Sequence, residues 1–331
     1  MKLSKVLVVL SLVMGLVFMA GNVKAATSLD NVPGFIVAGI WEGTDSGIGT
    51  IFMLKNTNDT YYYKVHYVIY GECSKHVADS DIVLSPKDST ALHIYFENGT
   101  MKIVENKYEE TEGPTTSVQG NFSADADGYY RGYAVFFIED KCKDGSDWAD
   151  YTPGASDNAL ALSVSILNPD SWYTGINGVA VQLEGGDTVP GDADDARDYL
   201  DATLQEPNWD GRWYASSIWN GQLLVCFPGN KSSACEYTIK GDNWDEDENP
   251  HSFELTVQEV ARIPITGNFS TEVEQWIAAF GDAETGWVQI KEATNGTAKV
   301  GMFGLIILEE PDINAADVLP CLLYTSPSPR D

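Results

Sequence analysis

Apolar and polar residues alternate with a period of two along much of the chain. In YYYKVHYVIY (61–70), Tyr61, Tyr63, Val65, Tyr67 and Ile69 fall on one face, with Lys64 and His66 on the other. Leu160, Leu162, Val164 and Ile166 repeat the pattern against Ala161, Ser163 and Ser165; so do Phe253, Leu255 and Val257 against Glu254, Thr256 and Gln258. Strict alternation predicts strands in a sheet with one buried and one wet face. Two runs differ: YAVFFI (133–138) and GLIIL (304–308) are apolar on both sides, as strands covered from both sides would be. Further strand-sized segments lie at 35–41, 49–54, 81–84, 92–96, 101–104, 179–183 and 287–290, separated by Asn, Gly and Asp clusters. The fold class this predicts is all-β, built from antiparallel sandwiches.

One segment carries helical spacing. TEVEQWIAAFG (271–281) places Val273, Trp276, Ile277 and Phe280 on one stripe, with Thr271 and Glu274 as a capping box and Gly281 as a stop. The most Gly-, Pro- and Asp-rich connection is GGDTVPGDADDARD (185–198). With 331 residues, more than one core fits comfortably, and this stretch is the natural divide. The expected organisation is a β-sandwich domain over 26–184, an acidic linker over 185–197 and a β-rich domain over 198–320 that holds the short helix.

The two ends read differently from the rest. Lys2 and Lys5 precede an apolar run from Val6 to Ala20, and Val23 and Ala25 supply the small residues of a signal-peptidase cut. That is the form of a secretory signal peptide over 1–25, with an apolar core too short to span a bilayer. The last residues, CLLYTSPSPRD (321–331), resemble one reading frame of a sequencing-library adapter, so they are set apart from fold reasoning. The expected location is outside the cytoplasmic membrane: secreted, periplasmic or at the cell surface.

Charge narrows the list of partners. The net charge is −29 with a pI near 4.2, and no basic cluster interrupts it. Such a surface repels phosphate backbones, which argues against nucleic acid. No later stretch is long and apolar enough to be read as a membrane span. Leaving Cys321 aside, the even set Cys73, Cys142, Cys226 and Cys235 in an exported chain points to disulfides. LLVCFPGNKSSACEYTI reads as a hairpin, which would pair Cys226 with Cys235 and leave Cys73 for Cys142.

Candidate chemistry is sparse. The turn GDNWDEDEN (241–249) offers Asp242, Asp245, Asp247 and Asn249 as oxygen ligands, and calcium is the one cofactor that such acidic loops suggest. Pro250 stands where an EF-hand needs Gly, so the loop is not of that type. Similar clusters lie at Asp140, Asp144 and Asp147, and at Asp192, Asp194 and Asp195. Trp172, Trp209 and Trp213 near strand ends could stack on sugar rings, giving a glycan as a candidate partner. His66 and His93 fall on outer strand faces and His76 follows Cys73 closely, the one histidine set from which a metal site could be assembled. No nucleophile elbow, P-loop, dinucleotide fingerprint or zincin motif occurs, so no catalytic residue is assigned.

LKNTNDTYYYKVHYVIY (54–70), Cys73, DIVLSPKD (81–88), LVCFP (224–228) and GWV (286–288) together resemble a group of uncharacterised exported bacterial β-sandwich proteins. The chain departs from that group at Cys226, where the group has a small or hydroxyl residue. The resemblance implies export and a β fold, and no activity. The functional expectation is a non-enzymatic exported or cell-surface protein of structural, adhesive or ligand-binding type. A carbohydrate- or calcium-binding module and a carboxylate-dependent hydrolase are the alternatives.

Overall fold

The computed structural model describes residues 32–106, 115–118, 122–125, 128–148, 152–168, 172–205, 209–214, 220–229, 235–245, 250–264 and 285–309. They form an all-β, antiparallel, sandwich-like structure with one α-helix among the described residues. The first half supplies β1 (Ile36–Gly43), β2 (Gly49–Asn56), β3 (Tyr62–Gly71), β4 (Lys75–Leu84), β5 (Ser89–Glu97) and β6 (Thr100–Asn106). It continues with β7 (Thr115–Val118), β8 (Tyr130–Cys142), β9 (Leu160–Asn168), β10 (Trp172–Asn177) and β11 (Val179–Val181). Five of these form sheet A, in the order β11-β1-β8-β3-β4, and six form sheet B, in the order β10-β9-β2-β5-β6-β7.

After α1 (Ala193–Leu204) come β12 (Trp209–Tyr214), β13 (Asn220–Cys226), β14 (Glu236–Asp245), β15 (Pro250–Gln258) and β16 (Val260–Pro264). The last strands are β17 (Thr285–Asn295), β18 (Ala298–Lys299) and β19 (Phe303–Glu309). Sheet C runs β12-β17-β14-β15, with β18 paired to β17, and sheet D runs β16-β13-β19.

The alternation predicted from sequence explains the first interface. Phe52 and Leu54 on β2, Leu92 and Ile94 on β5, and Leu162, Val164 and Ile166 on β9 are buried between sheets A and B. β8 is buried on both faces: Phe136 meets Phe52 of sheet B, while Phe137 meets the His66 ring on the other side. Its second face is covered by α1 and sheet D. Ala196, Leu200 and Leu204 of α1, with Leu224, Cys226 and Val260 of sheet D, belong to the same buried cluster as sheets A and B. The neighbouring residues of β13, Leu223 and Val225, join a second cluster with Ile239, Val288 and Ile290 of sheet C. Strand period two therefore splits β13 between two cores, which is why LLVC carries no polar face. At about 0.8 kcal/mol per buried CH₂, this strand anchors both halves at once.

α1 was legible only in part. Residues 193–197 were assigned to the linker, yet they form its first turn. Asp192 caps it by accepting from the Asp195 amide at 2.9 Å, and Ala196, Leu200 and Leu204 line its buried face at four-residue spacing. The expected helix at 271–281 lies outside the described residues.

The disulfide expectation is corrected. Cys73 bonds to Cys235, while Cys142 and Cys226 are buried free thiols. Cys142 stands opposite Tyr62 at the start of β3, whereas Cys73 lies just past its end. A ten-residue strand spans roughly 30 Å, far beyond the reach of a disulfide. The Cys142 sulfur instead accepts the Gly145 amide at 3.1 Å. Nor do Cys226 and Cys235 close a hairpin, because β13 enters sheet D and β14 enters sheet C. Cys226 turns into the first core opposite Val260, and Cys235, itself buried, bonds Cys73.

A candidate binding cleft at the junction of the two halves

Cys73 and Ser74 sit in a 3₁₀ turn (Glu72–Ser74) that joins β3 to β4, both with left-handed backbone at φ 62° and 47°. That turn, the ends of β1 and β8, and the start of α1 enclose a cleft of about 940 Å³. Trp41, Tyr70 and Tyr130 form a buried aromatic floor, with Lys75, His76, Arg131 and Arg197 around it. The floor is rigid. Trp41 Nε1 donates to the Tyr70 carbonyl at 3.0 Å, and Tyr70 stacks on Tyr133 at 4.8 Å. Gly132 permits this approach, since a Cβ there would lie 2.1 Å from the Tyr70 oxygen and 2.5 Å from the Trp41 ring.

Both arginines of the cleft are engaged by acids. Arg131 Nε binds Glu42 Oε1 at 2.6 Å and also pairs with Asp125. Arg197 binds Asp194 at 2.9 Å and Asp198 at 2.8 Å. Glu42 is fully buried and takes a second guanidinium from the other half, Arg262 Nη2 at 2.7 Å.

A second buried carboxylate lies nearby. Glu259, just after β15, accepts from the Ser74 amide at 2.6 Å and from the Ser74 hydroxyl. Tyr133 Oη lies 2.7 Å from that same hydroxyl. Burial pushes the Glu259 carboxyl up to about 7, with the Ser74 hydrogen bonds and the Arg197 charge pulling the other way. Burial likewise drives the Cys226 thiol and the Tyr133 hydroxyl well above their usual ranges, and the Glu259 charge adds to both. Neither glutamate is among the residues lining the cleft.

The residues singled out from sequence are not gathered here. Of the calcium candidates, Asp242 lies within β14 rather than in a turn, where it accepts from Lys291 and from Ser252 Oγ at 2.8 Å. The Lys291 hydrogen bond holds its carboxyl below the usual range. Asp247, Asn249 and the side chain of Asp245 lie outside the described residues. Asp144 accepts from the Ser146 and Asp147 amides and shapes its own turn, and Asp192 and Asp195 bond amides at the start of α1. Trp172 is in β10, and Trp209 and Trp213 are in β12; their side chains lie outside the described part. His66 and His76 share sheet A, while His93 is on β5 of sheet B.

Sequence reasoning missed a different tryptophan pair. Trp244 on β14 stands opposite Trp287 on β17, and their rings stack at 3.7 Å with 7° between planes. Lys291 Nζ lies 5.9 Å from the Trp244 ring centroid. Both indoles are half-buried. Alternation in DNW and WVQ could have placed the pair on one face, but cross-strand register is not written in either string. No family model, characterised protein or solved structure matches this chain.

Proposed function

We propose that the chain is a non-enzymatic ligand-binding protein of the exported or cell-surface type, and that the junction cleft takes a neutral, hydroxyl-rich ligand such as an oligosaccharide. The observation that carries this reading is the cleft lining: an aromatic floor beside guanidinium groups already neutralised by carboxylates. Such a lining offers the half-buried Phe122 ring as an apolar contact over the buried floor, and exposed hydrogen-bonding groups, without a net charge to select an ion. The carboxylate-dependent hydrolase gains no support, because Glu42 and Glu259 face donors inside the protein rather than the cleft.

Calorimetric titration with neutral and anionic oligosaccharides tests the proposal. Ser123 is an exposed residue on the cleft lining, so Ser123→Trp should obstruct the cleft without disturbing either core. Neutral glycans should bind, and Ser123→Trp should weaken them about tenfold or more with an unchanged Tm. Binding indifferent to Ser123→Trp contradicts the cleft assignment. The Trp244–Trp287 pair favours a second reading, in which sheet C carries the sugar contact. Loss of binding in Trp244→Ala but not in Ser123→Trp would select it.

A further inference from the structure

The edge of sheet A carries a constellation that shares only His76 with the cleft lining. β3 and β4 pair with His66 opposite Asp81, Val68 opposite Asp79 and Tyr70 opposite His76. Val77 is the extra residue of a bulge at this point. Without that bulge, simple alternation along β4 would send His76 to the face opposite Asp79 and Asp81. The bulge brings two imidazoles and two carboxylates to one face of the β3–β4 pair at the sheet edge.

His66 Nδ1 lies 2.7 Å from Asp81 Oδ1. In the neutral ring, that contact keeps the proton on Nδ1 and leaves a lone pair on Nε2. Nε2 in turn lies 3.8 Å from Asp79 Oδ2, and His76 Nε2 approaches the same oxygen at 3.6 Å. A ring lone pair and a carboxylate oxygen are both acceptors, and a cation between them satisfies both.

We propose that His66, His76 and Asp79 bind a divalent transition ion of the zinc class, with Asp81 as the outer carboxylate that orients His66. Two imidazole nitrogens and one carboxylate oxygen suit such an ion, whereas calcium and magnesium prefer all-oxygen sets. Ligand atoms around a tetrahedral zinc stand about 3.3 Å apart. The two imidazoles lie outside mutual ligand distance here, but His76 and Asp79 are 52% and 50% exposed, so their side chains can turn to bring both rings onto one ion, and water completes the shell. The neighbouring group of His66, Asp81 and Glu139 is not the site, because Lys64 Nζ already lies 2.9 Å from Asp81 and 2.6 Å from Glu139.

The test is calorimetric titration of the chelator-stripped full chain with Zn²⁺ alone, at about pH 7.5 because metal binding competes with protons for ligand nitrogens. Zn²⁺ should bind with or without calcium present. His66→Ala and His76→Ala should each weaken it more than tenfold, and Asp81→Asn by about 10–100-fold. Co²⁺ should give a visible d–d band that the two alanine variants abolish. The metal-free Tm of each variant, expected unchanged at these half-buried or exposed positions, separates ligand loss from misfolding. Zn²⁺ affinity unaltered in either histidine variant, or no binding by the wild-type chain, overturns the site.

Discussion

Glu42 and Glu259 are both buried where the second half packs onto sheet A, and the chain settles the two charges in opposite ways. Glu42 is held between guanidinium groups from the two halves, Arg131 and Arg262. Glu259 receives an amide and a hydroxyl from Ser74, and burial pushes it up to about 7. One carboxylate is therefore tied to two cations, while the other is a tie whose proton is exchanged near neutrality. The difference arises from what each neighbouring strand supplies. β8 and β16 bring arginines to Glu42, while the 3₁₀ turn brings only backbone and serine to Glu259. A buried charge without a paired cation is costly in proportion to its desolvation.

The largest effect expected from breaking this junction comes from its covalent member. The Cys73–Cys235 bond closes a loop with a sequence separation of 162. Loop-closure entropy assigns it a stabilisation of about 5 kcal/mol before any strain. Cys73→Ser should lower the urea midpoint accordingly, and an unchanged midpoint would mean the bond is not formed. Next comes Glu42→Ala, which removes the buried carboxylate shared by Arg131 and Arg262 and should cost about 3–5 kcal/mol.

Glu259 predicts a pH signature rather than a fixed loss. Its folded pKa, about 7, lies above the ordinary 4.5, so folding takes up a proton between those values. The stability it contributes is fully present below about pH 4.5 and is lost as pH rises through about 7, roughly 3 kcal/mol in all. Subtracting the Glu259→Gln profile from the wild-type profile isolates this slope from the rest of the acidic surface. Parallel profiles would contradict the assignment. The smallest effect belongs to the exposed Lys291–Asp242 pair on sheet C: Lys291→Met should change stability by no more than about 1 kcal/mol.

The strands were legible because burial on one face imposes alternation, as in β3, β9 and β15. YAVFFI told correctly of cover on both faces, but not that α1 and sheet D provide that cover. α1 was hidden by composition: the acids that cap and fill its first turn, Asp192, Asp194 and Asp195, looked like linker or calcium ligands. The cysteine pairing failed because proximity in sequence between Cys226 and Cys235 was taken for proximity in space, while β13 and β14 enter different sheets. The cleft had no local signal, since Trp41, Tyr70, Arg131 and Arg197 come from four separate elements. His66 and His76 were visible as histidines, but only the bulge at Val77 decides that they share a face.

Because β13 faces one core with Leu224 and the other with Leu223, the two halves should melt together. Differential scanning calorimetry of the intact chain at about pH 6, where the Glu259 tie is still mostly protonated, tests this most directly. The expected result is a single transition whose calorimetric and van't Hoff enthalpies agree. Two resolved transitions, each abolished by truncating only one of the two leucines, would contradict it.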